Sequence, residues 1–324
     1  MAVRKAISPK DIGRMRPRSR VGKIPRHPVR EYPADRERTA RRHMNLRTLK
    51  WSAWLGWQME SNWTDPFLFM TYSIAKPIAG SLILVVMYAI IAAIGGHTDV
   101  GLFHFMFVSN AFFMYVGQVL FGVAQIVHDD REHFQTMRYI YISPSNYFSY
   151  MIGRSVSKMI ITTFAVVITM AFGLFFLDVP LNIFTVNWPL FAAVMVIGIM
   201  CIMAFGLALA GLSFLTAKHQ GGMNEGIAGV FYLFCGVVFP VSTMPAWGMA
   251  FAKILPITYW LELVRRTLDL GVGLDSTLAG ASTAYCVAVL CLSTLVFTAL
   301  ALAIFKSGDT VARRKGLIDM TTAY

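Results

Sequence analysis

His128-Asp129-Asp130-Arg131-Glu132-His133 runs on into Phe134-Gln135-Thr136-Met137-Arg138-Tyr139-Ile140-Tyr141-Ile142-Ser143-Pro144, and the whole stretch lies between two long apolar runs. Six consecutive charged or titratable side chains are too costly to leave in hydrocarbon, so this stretch faces water and a partner at a membrane surface. Its flanks are read as helices that cross the membrane on either side of it.

The rest of the chain supports that reading. Of 324 residues, 56% are hydrophobic and 14% charged. Soluble domains usually carry about 25% charged residues. The apolar excess is gathered into six runs at about 74–94, 100–127, 150–177, 188–215, 223–241 and 277–305. Each supplies the roughly 20 residues needed to cross the hydrocarbon core. The expected fold is an all-α polytopic membrane protein with six transmembrane helices.

Charge distribution gives the orientation. Residues 1–50 hold 16 of the 29 Lys and Arg but only 4 of the 17 acids. The loops near 96–101 and 178–187 have no Lys or Arg, whereas 129–158 carries Arg131, Arg138, Arg154 and Lys158. Lys218 lies in the next turn on that side, and Arg313, Arg314 and Lys315 in the C-terminal tail. The positive-inside bias then places both termini in the cytoplasm of a multi-pass protein of the cytoplasmic (inner) membrane. Residues 1–45 read as a basic, disordered cytoplasmic tail, 46–306 as the transmembrane domain and 307–324 as a second cytoplasmic tail. The first tail has few aromatics to interleave with its Arg residues, so lipid contact is expected, with docking onto a partner as the alternative, and nucleic-acid binding is not.

Two segments lie outside the six-run pattern. In 46–63, Leu46, Leu49, Ala53, Trp54 and Trp57 share one helical face, which predicts an amphipathic helix in the inner interface. Glu60, Asp65 and Pro66 argue against its continuing into the first span. The sequon Asn62-Trp63-Thr64 falls on the cytoplasmic side of this topology and is taken as chance. The second segment, 240–271, is too apolar for a solvated loop and too interrupted by Pro240, Pro245 and Pro256 for a span. It predicts two short helices re-entering the outer leaflet. Ser242 or Thr243 would cap the first, Pro256 would start the second and Gly271 would end it. Glu262, Arg265, Arg266 and Asp269 are spaced to neutralise one another, or to present a functional charge near an exit path. Trp247, Tyr259 and Trp260 could stack on sugars or serve as an interfacial aromatic belt.

Catalytic chemistry is thinly represented. His128, Asp129, Asp130, Glu132 and His133 are each plausible metal ligands, but no second acidic cluster completes a site. There is no Gly-x-Ser-x-Gly and no His-Glu-x-x-His. Gly221-Gly222-Met223-Asn224-Glu225-Gly226 lacks the Gly-Lys-Ser/Thr of a phosphate loop, so no ATP site or other cofactor site is expected in this chain and it is not expected to be an enzyme. Cys201, Cys235, Cys286 and Cys291 all fall in apolar runs and read as packing residues.

The order of parts resembles the permease subunit of a type-2 ATP-binding-cassette exporter, the ABC-2 family, over about residues 46–306. That family has an interfacial helix, six spans, an amphipathic coupling helix between the second and third, and two re-entrant helices before the sixth. Its cytoplasmic loop often reads Arg-Glu-x-Gly-Thr-Leu, then apolar residues, Ser/Thr-Pro and a Gly-Lys start to the third span. Here Arg131-Glu132, Thr136-Met137, Ile140, Ile142, Ser143-Pro144 and Gly153-Arg154 are similar, with Gln135 where glycine is usual and extra residues before Thr136. The outer pattern is matched by Phe239-Pro240, Met244-Pro245, Leu255-Pro256, Thr258-Tyr259 and Glu262-Arg265.

The resemblance implies a permease that pairs with a second permease, of its own or another kind, and docks a separate ATPase that binds ATP and Mg. Residues 129–143 would sit in a groove of that ATPase. Asp130, Arg131 and Glu132 would supply polar contacts and Phe134, Met137, Tyr139 and Tyr141 apolar anchors, with Thr136 and Arg138 in the same helix. Pro240, Pro245, Trp247, Pro256, Tyr259, Glu262, Arg265 and Arg266 would form the exit region. The expected cargo is an amphipathic small molecule or lipid, with polysaccharide or a lipid-linked glycan as the alternative. Two other classes remain: a membrane enzyme using 128–133 as a metal site, and a scaffold or channel without coupling to an ATPase.

Overall fold

The computed structural model describes residues 46–61, 66–95, 100–143, 145–182, 184–215, 220–268, 278 and 280–316. The basic tail, the sequon, Pro144, Lys218, the segment 269–277 with Asp269 and Gly271, and residues 317–324 lie outside the described residues. Among the described residues there are ten helices and no strand. They are α1 (Leu46–Ser61), α2 (Pro66–Gly95), α3 (Val100–His133), α4 (Met137–Ile142), α5 (Tyr147–Phe176), α6 (Trp188–Ser213), α7 (Gln220–Phe234), α8 (Ala246–Ile254), α9 (Pro256–Leu268) and α10 (Thr283–Lys315).

Five of these, α2, α3, α5, α6 and α10, are long and apolar enough to cross a membrane. Their outward faces are apolar: Ile83, Ile91, Phe164, Val167, Met200 and Leu295 are all exposed. An apolar band of this extent is what a lipid solvent requires. The chain is a multi-pass membrane protein.

The boundaries follow local chemistry. Asn146 caps α5 by accepting from the Phe148 amide at 3.0 Å, Asn187 caps α6 from Leu190 at 3.2 Å, and Ser282 caps α10 from Tyr285 at 3.2 Å. Each satisfies an amide that the helix leaves unpaired. Gly316, at φ 66, ends α10 in the left-handed region, where glycine carries no Cβ penalty.

Three expectations change. The run 223–241 becomes α7 of 15 residues, about 22 Å at the usual helical rise and short of the hydrocarbon thickness. Gly236 at φ 71 turns the chain just after it. α10 starts later than expected and continues to Lys315 rather than stopping near 306. Neither Ser242 nor Thr243 caps α8, because the Thr243 hydroxyl donates back to the Pro240 carbonyl at 2.7 Å and Pro245 occupies the cap position.

α3 is the central element, and two-thirds of its most apolar stretch is buried inside the protein. Phe107, Val108, Ala111, Val116, Val119, Leu120, Val123 and Ile126 pack inward against α5, α6 and α9. α6 lies against α10, where a Cβ on Gly308 would collide with the Gly211 backbone. α1 lies along α5 through small residues. Ser52 and Gly56 meet Gly153 and Ser157, the Ser157 hydroxyl donates to the Ala53 carbonyl, and Lys158 pairs with Glu60. Small residues let two backbones approach closely where no hydrophobic gain drives them together. Leu46 and Trp54 remain exposed, and Leu49, Ala53 and Trp57 are partly covered.

Candidate functional site

The charged stretch is not a loop. α3 continues through it as a π-helical turn, Asp129–His133, closed by the Phe134 amide donating to the Asp129 carbonyl at 2.8 Å. The wider turn aims Asp130 inward, where it has no exposure. There it forms an ion pair with Arg154 and accepts hydrogen bonds from the hydroxyls of Tyr150 at 3.0 Å, Tyr147 at 3.4 Å and Thr136 at 3.4 Å. Arg154 also donates to the Tyr150 oxygen at 3.2 Å. Tyr147, Tyr150 and Arg154 are spaced i, i+3, i+7, so the first two turns of α5 present all three on one face. A buried carboxylate is tolerable only with this degree of pairing.

Gln135 joins α3 to α4. Its φ is 52, in the left-handed region that favours glycine and costs other residues about 1 kcal/mol or more. The turn sends Met137 into the core at 1% exposure and leaves Arg138, Tyr139 and Ile142 on the outside. Tyr141 fixes the far end of α4: its hydroxyl donates to Asp309 on α10 at 2.6 Å, and its ring stacks on Tyr147 with centroids 5.0 Å apart. Arg313 donates to Asp309 at 3.0 Å and lies 4.6 Å over the Tyr141 ring. Burial, and then the Asp309 charge, push the Tyr141 phenol above its ordinary value, so it remains a donor at neutral pH. Through these contacts α4 touches α5 and α10, and Thr136, just ahead of it, reaches Asp130 on α3.

A cavity of about 1010 Å³ opens between the end of α1, α2, α3 and α5. Asn110, Gln118 and Gln125 give it polar groups along α3, and Phe113, Met114 and Ile161 give it apolar wall. Gln125 donates to Asp129 at 3.1 Å, at the end nearest the π turn. Gly117 and Gln118 are exposed although they sit mid-helix in the most buried span.

α9 is buried over nearly its whole length. Glu262 bridges Arg265 at 2.8 Å and Arg266 at 2.9 Å. Arg265 reaches the Ser109 hydroxyl on α3 at 2.7 Å and the Gly236 carbonyl at 3.3 Å, and covers the Phe105 ring at 4.3 Å. Arg266 donates to the Ala281 carbonyl ahead of α10 at 2.8 Å. One carboxylate and two guanidiniums thus tie α9 to α3, to the turn after α7 and to the start of α10.

A family model described as ABC-2 type transporter matches residues 49–268. The chain belongs to the ABC-2 type transporter family. Proteins named probable multidrug ABC transporter permease YbhR, from Escherichia coli strain K12 and from Escherichia coli O157:H7, are each 27% identical to it over 146 residues. That alignment covers 43% of this chain and 37% of the length of those relatives.

Within this ABC-2 chain the sequence-predicted residues divide. Asp130, Arg131 and Met137, expected to face a partner, are buried in the chain itself, because Arg154 and the α5 tyrosines offer the carboxylate a better site than water at an interface. Arg131 pairs with Glu132 at 3.2 Å. Phe134 and Thr136 are partly covered, and Arg138 and Tyr139 are exposed. Of the exit-region residues, Pro256, Tyr259, Glu262 and Arg265 are buried, Arg266 is partly covered, and Trp247 is exposed. Tyr259 and Trp260 cannot stack on a passing sugar, since both are in the core; Tyr259 donates instead to the Lys253 carbonyl at 3.0 Å. Pro240 and Pro245 flank the single 3₁₀ turn Val241–Thr243. Among the described residues no three His, Cys, Asp or Glu side chains converge on a point.

Tyr147, Tyr150, Arg154 and Asp309 are absent from the sequence-derived site. The i, i+3, i+7 spacing of the first three was a usable signal. The approach of Asp309 to Tyr141 spans 168 positions and had none.

Proposed function

We propose that this chain is the permease subunit of an ATP-driven exporter of the cytoplasmic membrane, with both termini in the cytoplasm. It pairs with a second permease and is powered by a separate ATPase that binds ATP and Mg. The observation that carries the reading is α4. It is short, it is fastened to α5 and α10 by Tyr141 and to α3 by the Thr136–Asp130 bond at its start, and it presents Arg138, Tyr139 and Ile142 outward. An ATPase closing on that surface would tilt α3, α5 and α10 together. Asp130, Arg131 and Met137 then position the docking helix, and Arg138 and Tyr139 make the contacts. α7 with the turn after it completes a sixth crossing, α1 lies in the inner interface, and α8 and α9 re-enter from the outside.

The cargo is an amphipathic small molecule or lipid. Support comes from the cavity beside α3, whose size is at the upper end for drug-sized ligands and whose lining combines an apolar wall with amides and with charged or titratable groups, among them Glu60, Lys76, Asp129 and Arg154, as an amphiphile requires. The name of the similar Escherichia coli proteins, probable multidrug ABC transporter permease, points the same way. Of the three aromatics that could stack on a sugar, Tyr259 and Trp260 are buried and Trp247 is exposed, which weakens the polysaccharide alternative.

The test is co-purification. The full chain is co-expressed with an ATP-binding-cassette ATPase from the same genome. Arg138→Glu with Tyr139→Ala and Ile142→Ser should abolish retention of the ATPase while the permease stays folded. Unchanged retention would refute the docking role of α4.

A further inference from the structure

A second cavity, of about 470 Å³, opens between the α4–α5 connection and the end of α10. Lys306, Arg313 and Arg314 line it from α10, and Ser143 and Ser145 from the connection. Asp309 is the one acid among its described lining residues, and it is already engaged by Tyr141 and Arg313. Three basic side chains against one acid leave the wall positive. Lys306 and Arg314 are exposed.

Depth and apolar surroundings identify what fits. The rise from Thr283 to Lys306 along α10 is about 34 Å, slightly more than the hydrocarbon thickness of about 30 Å. The cavity therefore lies at the level of the lipid headgroups, on the side of the membrane where α4 lies. Leu302 and Leu295 precede Lys306 by one and three turns on the same face of α10, and both are exposed. A positive, hydroxyl-bearing pocket at headgroup level, continued by an apolar strip along a spanning helix, matches a molecule with an anionic head and long acyl chains.

We propose that this cavity binds an anionic phospholipid, its phosphate held by Lys306, Arg314 and the Ser145 hydroxyl and its chains lying along Leu302 and Leu295; the Ser143 hydroxyl already donates to the Ile140 carbonyl at 2.7 Å and orders the wall. The lipid would brace α4 against α10 beside the Tyr141–Asp309 bond. The proposal stands apart from the transport reading, since binding is measured without any ATPase.

The experiment is native mass spectrometry of the full chain in detergent, titrated with phosphatidylglycerol or with zwitterionic phosphatidylcholine. Phosphatidylglycerol should be retained preferentially. Lys306→Gln with Arg314→Gln should lower its retention by about tenfold, from the loss of two charges near a phosphate. Lys253→Gln removes an exposed charge on α8, outside the cavity, and should leave retention unchanged. Arg314→Gln alone, on the exposed last turn of α10, gives the same result with a smaller loss. Equal retention of the two lipids, undiminished retention in the Lys306/Arg314 variant, or an equal loss in the Lys253 variant overturns the proposal. The first of these would leave the cavity to an acidic segment of a partner protein.

Discussion

Asp130, in the final π turn of α3, is ion-paired with Arg154, in the second turn of α5, and both side chains are buried. The pair locks the helix that precedes α4 to the helix that follows it. Tyr147 and Tyr150 complete the shell around the carboxylate. Removing one member of such a pair leaves a buried charge uncompensated, at a cost of about 3–5 kcal/mol. Arg154→Met should therefore lower the unfolding midpoint of the purified protein sharply. Arg154→Met combined with Asp130→Leu should recover most of the loss, which a double-mutant cycle on thermal unfolding would read out.

Gln135 occupies a conformation that glycine adopts without strain. Gln135→Gly should be neutral or stabilising, by up to about 1 kcal/mol, whereas Gln135→Val should destabilise by more than that. Chemical denaturation in detergent micelles distinguishes the two. The usual family glycine at this place and the observed φ agree on the backbone, although this chain supplies a different side chain.

Tyr141→Phe removes the hydroxyl that reaches Asp309 while keeping the ring under Arg313. The expected loss of stability is small, about 1 kcal/mol, as for a single hydrogen bond. The expected functional loss is larger: ATPase should still co-purify, but cargo-dependent stimulation of ATP hydrolysis should fall. Measuring both on one preparation separates docking from transmission.

Gly153→Ala would drive a methyl group into the Ser52 hydroxyl and the Leu49 carbonyl. It should loosen α1 from α5 and expose α1 to proteolysis. Ser52→Gly in the same chain should restore only part of the protection, because the Leu49 backbone remains in the way.

Hydropathy made α2, α3, α5, α6 and α10 legible, since each carries a long apolar run that needs no partner to be recognised. It overextended the run that begins α7, because the apolar residues continue past Gly236 while the backbone turns there. The proline pattern gave two helices in 246–268, and Glu262 lies between its two arginines as the spacing suggested. The inward turn of Asp130 was not legible. Charge counted along the chain places an aspartate in water, and only the tyrosines and Arg154 of another helix make its burial tolerable. The docking surface was expected across 130–139, and within that set Asp130, Arg131 and Met137 are buried while Arg138 and Tyr139 are exposed, next to Ile142.

The most direct test of the central claim is site-specific photo-cross-linking in membranes containing the full chain and its ATPase. A photoreactive phenylalanine analogue at Tyr139, which is 68% exposed, should cross-link to the ATPase, and the same analogue at Met137, which is 1% exposed, should not. A cross-link to the ATPase from Met137, or none from Tyr139, would contradict the assignment of the outer face of α4 as the site through which ATP hydrolysis acts on this permease.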